Sequence, residues 1–212
     1  MGRFSVETSI NNPAVQNQAN NSNIAWPAVF PKETIGIDRN GVIVQHDEPI
    51  YNADQITIVP GSLDAIRMMR LKGYNVYIFF NEPMIGEGKT TPEAVDLTNN
   101  KLMEIFGRAG IMSINGLLYS TTDSKQDIFS LPNTGMLKKA EKELKAKFKG
   151  GYFVGDKLYD IKAGDSAGAK PVLIRTNKYD EVISKLDTFA NRELKKRVRI
   201  YNTLLDFAED LP

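Results

Sequence analysis

Cysteine is absent from the 212 residues, and histidine and tryptophan occur once each, at His46 and Trp26. Without cysteine there can be no disulfide, no thiolate metal site and no thiol nucleophile, while the redox compartment stays undetermined. An excess of either charge is also missing. Lysine plus arginine number 27 against 26 for aspartate plus glutamate, a formal net charge of +1. No global field therefore draws in nucleic acid or an anionic membrane, and any electrostatic effect must be local. The chain has no apolar run of membrane-spanning length, and no charged n-region followed by an apolar h-region at its start. Those absences predict a soluble, cytoplasmic protein that is not secreted by a signal peptide and has no membrane partner. The length suits one domain with a sizeable core.

Residues 11–24, "NNPAVQNQANNSNI", are mostly Asn and Gln with few apolar anchors. Such a composition cannot bury enough surface to offset its ordering entropy. Residues 1–33 are therefore expected to form an extended N-terminal arm, either solvated or ordered against a protein partner, with "IAWPAVFP" (24–31) as its anchor on the body.

From Thr34 to the C-terminus, residues 34–212, the pattern alternates between short apolar runs and amphipathic stretches. "TIGIDRN", "YNVYIFF", "INGLLYS", "GGYFVGD" and "KPVLIRT" read as strands, and "RVRIYNTLLDFAEDL" as a last strand and helix. Between them, "GSLDAIRMMRLKG" is a helix ended by glycine, "TPEAVDLTNNKLMEIFGRAG" a helix with Pro92 in its first turn, and "TGMLKKAEKELKAKF" and "LYDIKAGDSAGA" are two more. This alternation predicts the α/β class, with a parallel sheet and helices on both faces.

Asp38 ends the first strand and Asp156 the strand "YFVGD", with Asp160 one helical turn further on. In a parallel sheet all three fall on one edge, where clustered carboxylates suit Mg²⁺. Asp38 and Asp156 alone are equally compatible with carboxylates that cap helix N-termini.

The order of segments resembles the haloacid dehalogenase (HAD) superfamily, in its histidinol-phosphate and heptose-bisphosphate phosphatase type. The matching stretches are "IDRNGVIV", "VPGSLDAIRMMRLKGYNVYIFFNEPMIGEG", "GIMSINGLLYS", "LPNTGMLKKAEKEL" and "YFVGDKLYDIKAGDSAGAKPVLIRT". The resemblance implies a HAD-like (Rossmannoid) fold, with Asp38 as the nucleophile that becomes a transient aspartyl phosphate. It also implies a Mg²⁺ held by Asp38, the carbonyl of Asn40, Asp156 and Asp160.

Several positions depart from the family pattern. The family's second aspartate, which protonates the leaving group and activates water, is Asn40, whose amide has no titratable proton near neutral pH. The family threonine after the second strand is Phe80, and the Asn and Gln that follow it are Asn81 and Glu82. An expected arginine is Glu87, and the phosphate-clamping lysine is Leu131, preceded by Ser130. Each of the changes at 80, 82, 87 and 131 removes a donor or positive charge, or adds a negative one, where phosphate oxygens would sit. Lys157 is the remaining candidate phosphate contact, and Lys125 lies near the lost lysine in sequence. The segment "STTDSKQDIFS" stands where many relatives carry a zinc loop, and its lack of Cys and His predicts no zinc there. His46 falls in the family's flap region, where a lone histidine is commonly a surface residue.

Two functions stay open on these residues. One is a pseudoenzyme: a retained fold with impaired catalysis, serving as a structural or interaction subunit of a larger assembly such as a viral particle. The other is a working Mg²⁺-dependent phosphomonoesterase that uses Asp38 on a small phosphorylated ligand. For the latter a sugar phosphate is one substrate class, and a polynucleotide 3'-phosphate is a second, because "NEPMIGEGK" also resembles those enzymes. The near-neutral charge argues against nucleic acid.

Overall fold

The computed structural model describes residues 33–45 and 52–212, so His46 and all of the N-terminal arm but Glu33 lie outside the described residues. Six strands form one parallel sheet: β1 (Thr34–Asp38), β2 (Asn75–Asn81), β3 (Gly116–Ser120), β4 (Tyr152–Gly155), β5 (Lys170–Ile174) and β6 (Arg199–Tyr201), in the order β3-β2-β1-β4-β5-β6. Among the described residues, eight α-helices connect or flank them: α1 (Ser62–Leu71), α2 (Pro83–Gly86), α3 (Pro92–Arg108), α4 (Gly135–Leu144), α5 (Leu158–Ser166), α6 (Tyr179–Leu186), α7 (Arg192–Lys195) and α8 (Leu204–Asp210). Among the described residues no helix is long and apolar enough to cross a membrane.

β1 is buried at every position and pairs with β2 on one side and β4 on the other, so it has no solvent face and reads as a continuous apolar run up to Asp38. The strand order reverses between β1 and β4, which places the carboxyl ends of these two strands at a topological switch point, where open parallel sheets form a crevice. On one face of the sheet Ile35, Ile37, Val76, Ile78 and Phe80 join α1, α3 and α8 through Ile66, Met69, Leu102, Phe106 and Phe207. On the other, Tyr77, Phe79 and Phe153 pack with Phe148, Met136 and Leu137. This second layer is largely aromatic: the Phe79 ring lies 5.7 Å from both Phe148 and Phe153.

The helix expected over 134–148 ends at Leu144. Lys145 turns left-handed at φ 59°, and Ala146 and Phe148 leave the helix to enter the core. Burial of the Phe148 ring outweighs another helical turn. The short helices α2, α6 and α7 are absent from the sequence-based expectation, because four to eight residues carry too little periodicity to distinguish a helix from a loop.

Gly36 is a close approach in the aromatic layer: a Cβ there would sit 2.6 Å from the Phe153 ring. Phe153→Ala should cost about 3–5 kcal/mol in urea unfolding. Gly36→Ala alone should cost about 1–3 kcal/mol through overpacking, and markedly less in the Phe153→Ala background, because both act on one space.

Candidate active site at the carboxyl ends of β1 and β4

The chain leaves β1 through a tight turn rather than a helix. Ile43 and Val44 N–H both donate to the Arg39 carbonyl, at 3.0 and 2.9 Å, and Gly41 N–H donates to the Val44 carbonyl at 2.8 Å. Gly41 sits at φ +95°, and a Cβ there would lie 2.3 Å from Asp156 Oδ2, so glycine lets the turn close against the end of β4. The same economy of space holds at Gly155, where a Cβ would meet Asp160 Cβ at 2.2 Å.

Asp38, Asp156 and Asp160, all buried, are thereby brought together: one ligand atom from each lies within 4.8 Å of the others. Asp38 Oδ1 and Asp160 Oδ1 are buried and have no hydrogen-bond partner. An orphaned carboxylate oxygen within an all-oxygen set fits a hard divalent cation such as Mg²⁺. Asp38, Asp156 and Asp160 with the carbonyl of Asn40 are the groups that would hold it, and bound there it would neutralise charge on a phosphoryl group.

Lys157 stands in the middle of this set. Its Nζ donates to Asp38 Oδ2 at 2.8 Å, to the Asn40 carbonyl at 2.7 Å and to Asp156 Oδ1 at 2.6 Å. All three ammonium donors are thus engaged with protein oxygens. Asp156 Oδ2 accepts from Thr176 Oγ1 at 3.0 Å, and Asp160 Oδ2 from the Lys157 N–H at 3.1 Å. Burial pushes the Asp38 carboxyl up to about 6 against the pull of Lys157, with Asp156 adding to the rise. Burial and then Asp38 push Asp160 well above the usual carboxylate range. Burial opposes the charge on Lys157, but Asp38 and Asp160 outweigh it and hold its pKa above the ordinary lysine value. A cleft of about 330 Å³ opens beside this cluster, lined by Asn40, Asp156, Lys157, Thr176 and Lys178 among others.

Arg39 beside this site is a buried charge that the sequence does not single out. It is 2% exposed and points into the protein: Nε donates to Asn40 Oδ1 at 2.8 Å, Nη1 to Asn99 Oδ1 at 2.8 Å and Nη2 to Glu82 Oε2 at 3.0 Å. Its guanidinium lies 3.5 Å from the centroid of the Phe80 ring, which itself stacks on Tyr119 at 5.3 Å. Burial lowers the Arg39 pKa to about 10, and Glu82 counteracts the fall. Burial raises Glu82. No local pattern distinguishes a buried arginine after a strand from a solvated one, since its partners come from β2 and α3.

The other sequence-predicted residues disperse. Asn81 pins a loop: its amide donates to the Leu131 carbonyl at 3.1 Å and Ser130 Oγ at 3.2 Å, and accepts from the Leu131 N–H at 3.0 Å. The Leu131 side chain is buried in the core with Met136 and Leu137. Glu87 is exposed and pairs with Lys89 at 2.7 Å, and Lys125 is exposed. The segment 121–134 is held by local turns, with Ser124 N–H donating to Thr122 Oγ1 and Phe129 N–H to Asp127 Oδ1.

Breaking the buried Arg39–Glu82 pair tests this network. Arg39→Met should destabilise by about 3–5 kcal/mol, because Glu82 is left buried and uncompensated. Adding Glu82→Met should recover most of that loss, as read by a double-mutant cycle of urea midpoints.

A family model described as HAD-hydrolase-like matches residues 129–198. The D-glycero-β-D-manno-heptose-1,7-bisphosphate 7-phosphatase of Neisseria meningitidis serogroup A is 30% identical over 175 residues, 82% of this chain and 91% of that protein. The Escherichia coli K12 protein of the same name is 28% identical over 162 residues, 72% of this chain and 81% of its own. Among solved structures, the D,D-heptose 1,7-bisphosphate phosphatase from B. bronchiseptica, complexed with magnesium and phosphate, aligns with a TM-score of 0.74 at 20% identity, covering 84% of this chain and 97% of that one. The Burkholderia thailandensis enzyme aligns with a TM-score of 0.62 at 23% identity and the same coverage. With the parallel sheet and the carboxylates at its switch point, these similarities show that the chain belongs to the haloacid dehalogenase superfamily, in its heptose-bisphosphate phosphatase type.

Proposed function

We propose that this chain keeps the cation-binding edge of a sugar-bisphosphate phosphatase but lacks the proton transfer and phosphate clamp that turnover needs. It then serves as an interaction subunit, with residues 1–33 contacting a protein partner. The observation that carries this reading is the state of Asn40. Its side-chain oxygen accepts from Arg39 Nε at 2.8 Å inside the buried network with Glu82 and Asn99. An amide at the position of the acid and base forfeits a contribution of about 10²- to 10⁴-fold. Phe80 under the guanidinium and Leu131 in the apolar core support the same reading, since neither offers a donor to a phosphoryl group.

A second reading is an active Mg²⁺-dependent phosphomonoesterase with Asp38 as nucleophile, acting on a sugar phosphate or a polynucleotide 3'-phosphate. The buried, unpartnered Asp38 Oδ1 favours it.

Hydrolysis of an aryl phosphate and of a heptose bisphosphate with Mg²⁺, compared between the natural protein and Asp38→Asn, separates the two. No turnover in either is the expected result, and turnover that disappears with Asp38→Asn would establish the second reading instead. A restored enzyme is a stricter test. Asn40→Asp alone places a second buried carboxylate on Arg39, whose charge Glu82 on Nη2 already balances, and the uncompensated negative charge would destabilise the site. The combination Asn40→Asp, Glu82→Gln, Phe80→Thr and Leu131→Lys returns a single carboxylate to Arg39, and it should raise the hydrolysis rate by about 10²-fold or more.

A further inference from the structure

The oxygens that converge on Lys157 are more numerous than one ammonium can satisfy. Nζ takes Asp38 Oδ2, the Asn40 carbonyl and Asp156 Oδ1, at 2.6–2.8 Å, yet Asp38 Oδ1 and Asp160 Oδ1 stay buried without a partner. An ion pair built for stability alone would be expected to satisfy every oxygen it buries. A six-coordinate cation accepts more ligands than the three hydrogen bonds of an ammonium, and it draws oxygens to about 2.0–2.1 Å. Asp38, Asp156 and the Asn40 carbonyl are at once the ammonium's three acceptors and members of the set that would hold the ion, so the two cations meet in one place.

We infer that Lys157 is an internal competitor for the divalent cation: its ammonium and a metal ion are alternative occupants of the oxygens of Asp38, Asn40 and Asp156, and metal binding expels the lysine. The side chain has somewhere to go. It is 22% exposed, and it lines both the 330 Å³ cleft beside Thr176 and Lys178 and a second cleft of about 300 Å³ beside Tyr159 and Glu181. The consequence is a protein whose carboxylate cluster is neutralised from within, and whose metal affinity is lowered by the work of displacing Lys157. This rests on assigning the three oxygens to the cation, but it does not depend on whether the chain hydrolyses anything.

The test is Mn²⁺ affinity of the full chain, from the electron paramagnetic resonance of unbound Mn²⁺. Lys157→Gln removes the competitor and should bind Mn²⁺ about tenfold or more tightly than the natural protein, a change of about 1.4 kcal/mol. Lys178→Gln removes a charge from the same cleft without touching the three oxygens, and should change affinity by less than about threefold, as expected for a solvent-screened charge. Equal effects of the two substitutions would reduce Lys157 to a background charge and overturn the inference. Should Lys157→Gln not fold, the natural protein still decides. Its Lys157 ammonium should give a slowly exchanging ¹H–¹⁵N resonance that Mg²⁺ abolishes, and persistence of that resonance at saturating Mg²⁺ would sink the idea. Failure of both natural protein and variant to bind Mn²⁺ would overturn the cation assignment itself, whereas hydrolysis assays would leave it untouched.

Discussion

Asp38 ends a strand that is buried along its whole length, so its carboxylate is carried to the edge of the sheet with almost no access to water. A charge in that position costs several kcal/mol unless a cation and hydrogen bonds surround it. The surrounding structure is arranged to meet this demand. Gly41 and Gly155 admit Asp156 and Asp160 to the same space, and Lys157 supplies the positive charge that makes three neighbouring carboxylates tolerable.

A second buried charge lies next door. Arg39 follows Asp38 directly but turns the other way, towards β2 and α3, where Glu82, Asn99 and the Phe80 ring enclose it. Asn40 joins the two systems, giving its carbonyl to Lys157 and its side-chain oxygen to Arg39. Its neutrality suits that place, because Glu82 already balances the guanidinium and a carboxylate at 40 would leave an excess of buried negative charge. In the family pattern the carboxylate stands at position 40 and the amide at 82, and in this chain the two are exchanged. The charge around Arg39 is the same, but the group facing the switch point is no longer an acid.

The expected pairing of losses at Phe80 and Leu131 also takes a physical form. Phe80 carries the stacked guanidinium and Leu131 fills the aromatic layer's neighbourhood, so each contributes to packing as well as removing a donor. Glu87 differs from the expectation of added negative charge near phosphate: it sits on the surface at the C-terminal end of α2, paired with Lys89.

Period and punctuation along the chain were sufficient for the strands, for the helices of ten residues or more, for the parallel class, and for the meeting of Asp38, Asp156 and Asp160 at one edge, since strand ends in a parallel sheet share an edge by topology. Where the helix after Thr134 stops, and that residues 179–195 form short helices, depended on which side chains the core accepts. Lys157 and Arg39 belong wholly to the tertiary structure. Each follows a buried strand, and beside a bond to its chain neighbour each is held by oxygens distant in the chain, Asp38 and the Asn40 carbonyl for Lys157 and Glu82 and Asn99 for Arg39. Periodicity records which face of an element is apolar, whereas the placement of a charge follows from the sum of fields that only the assembled fold brings together.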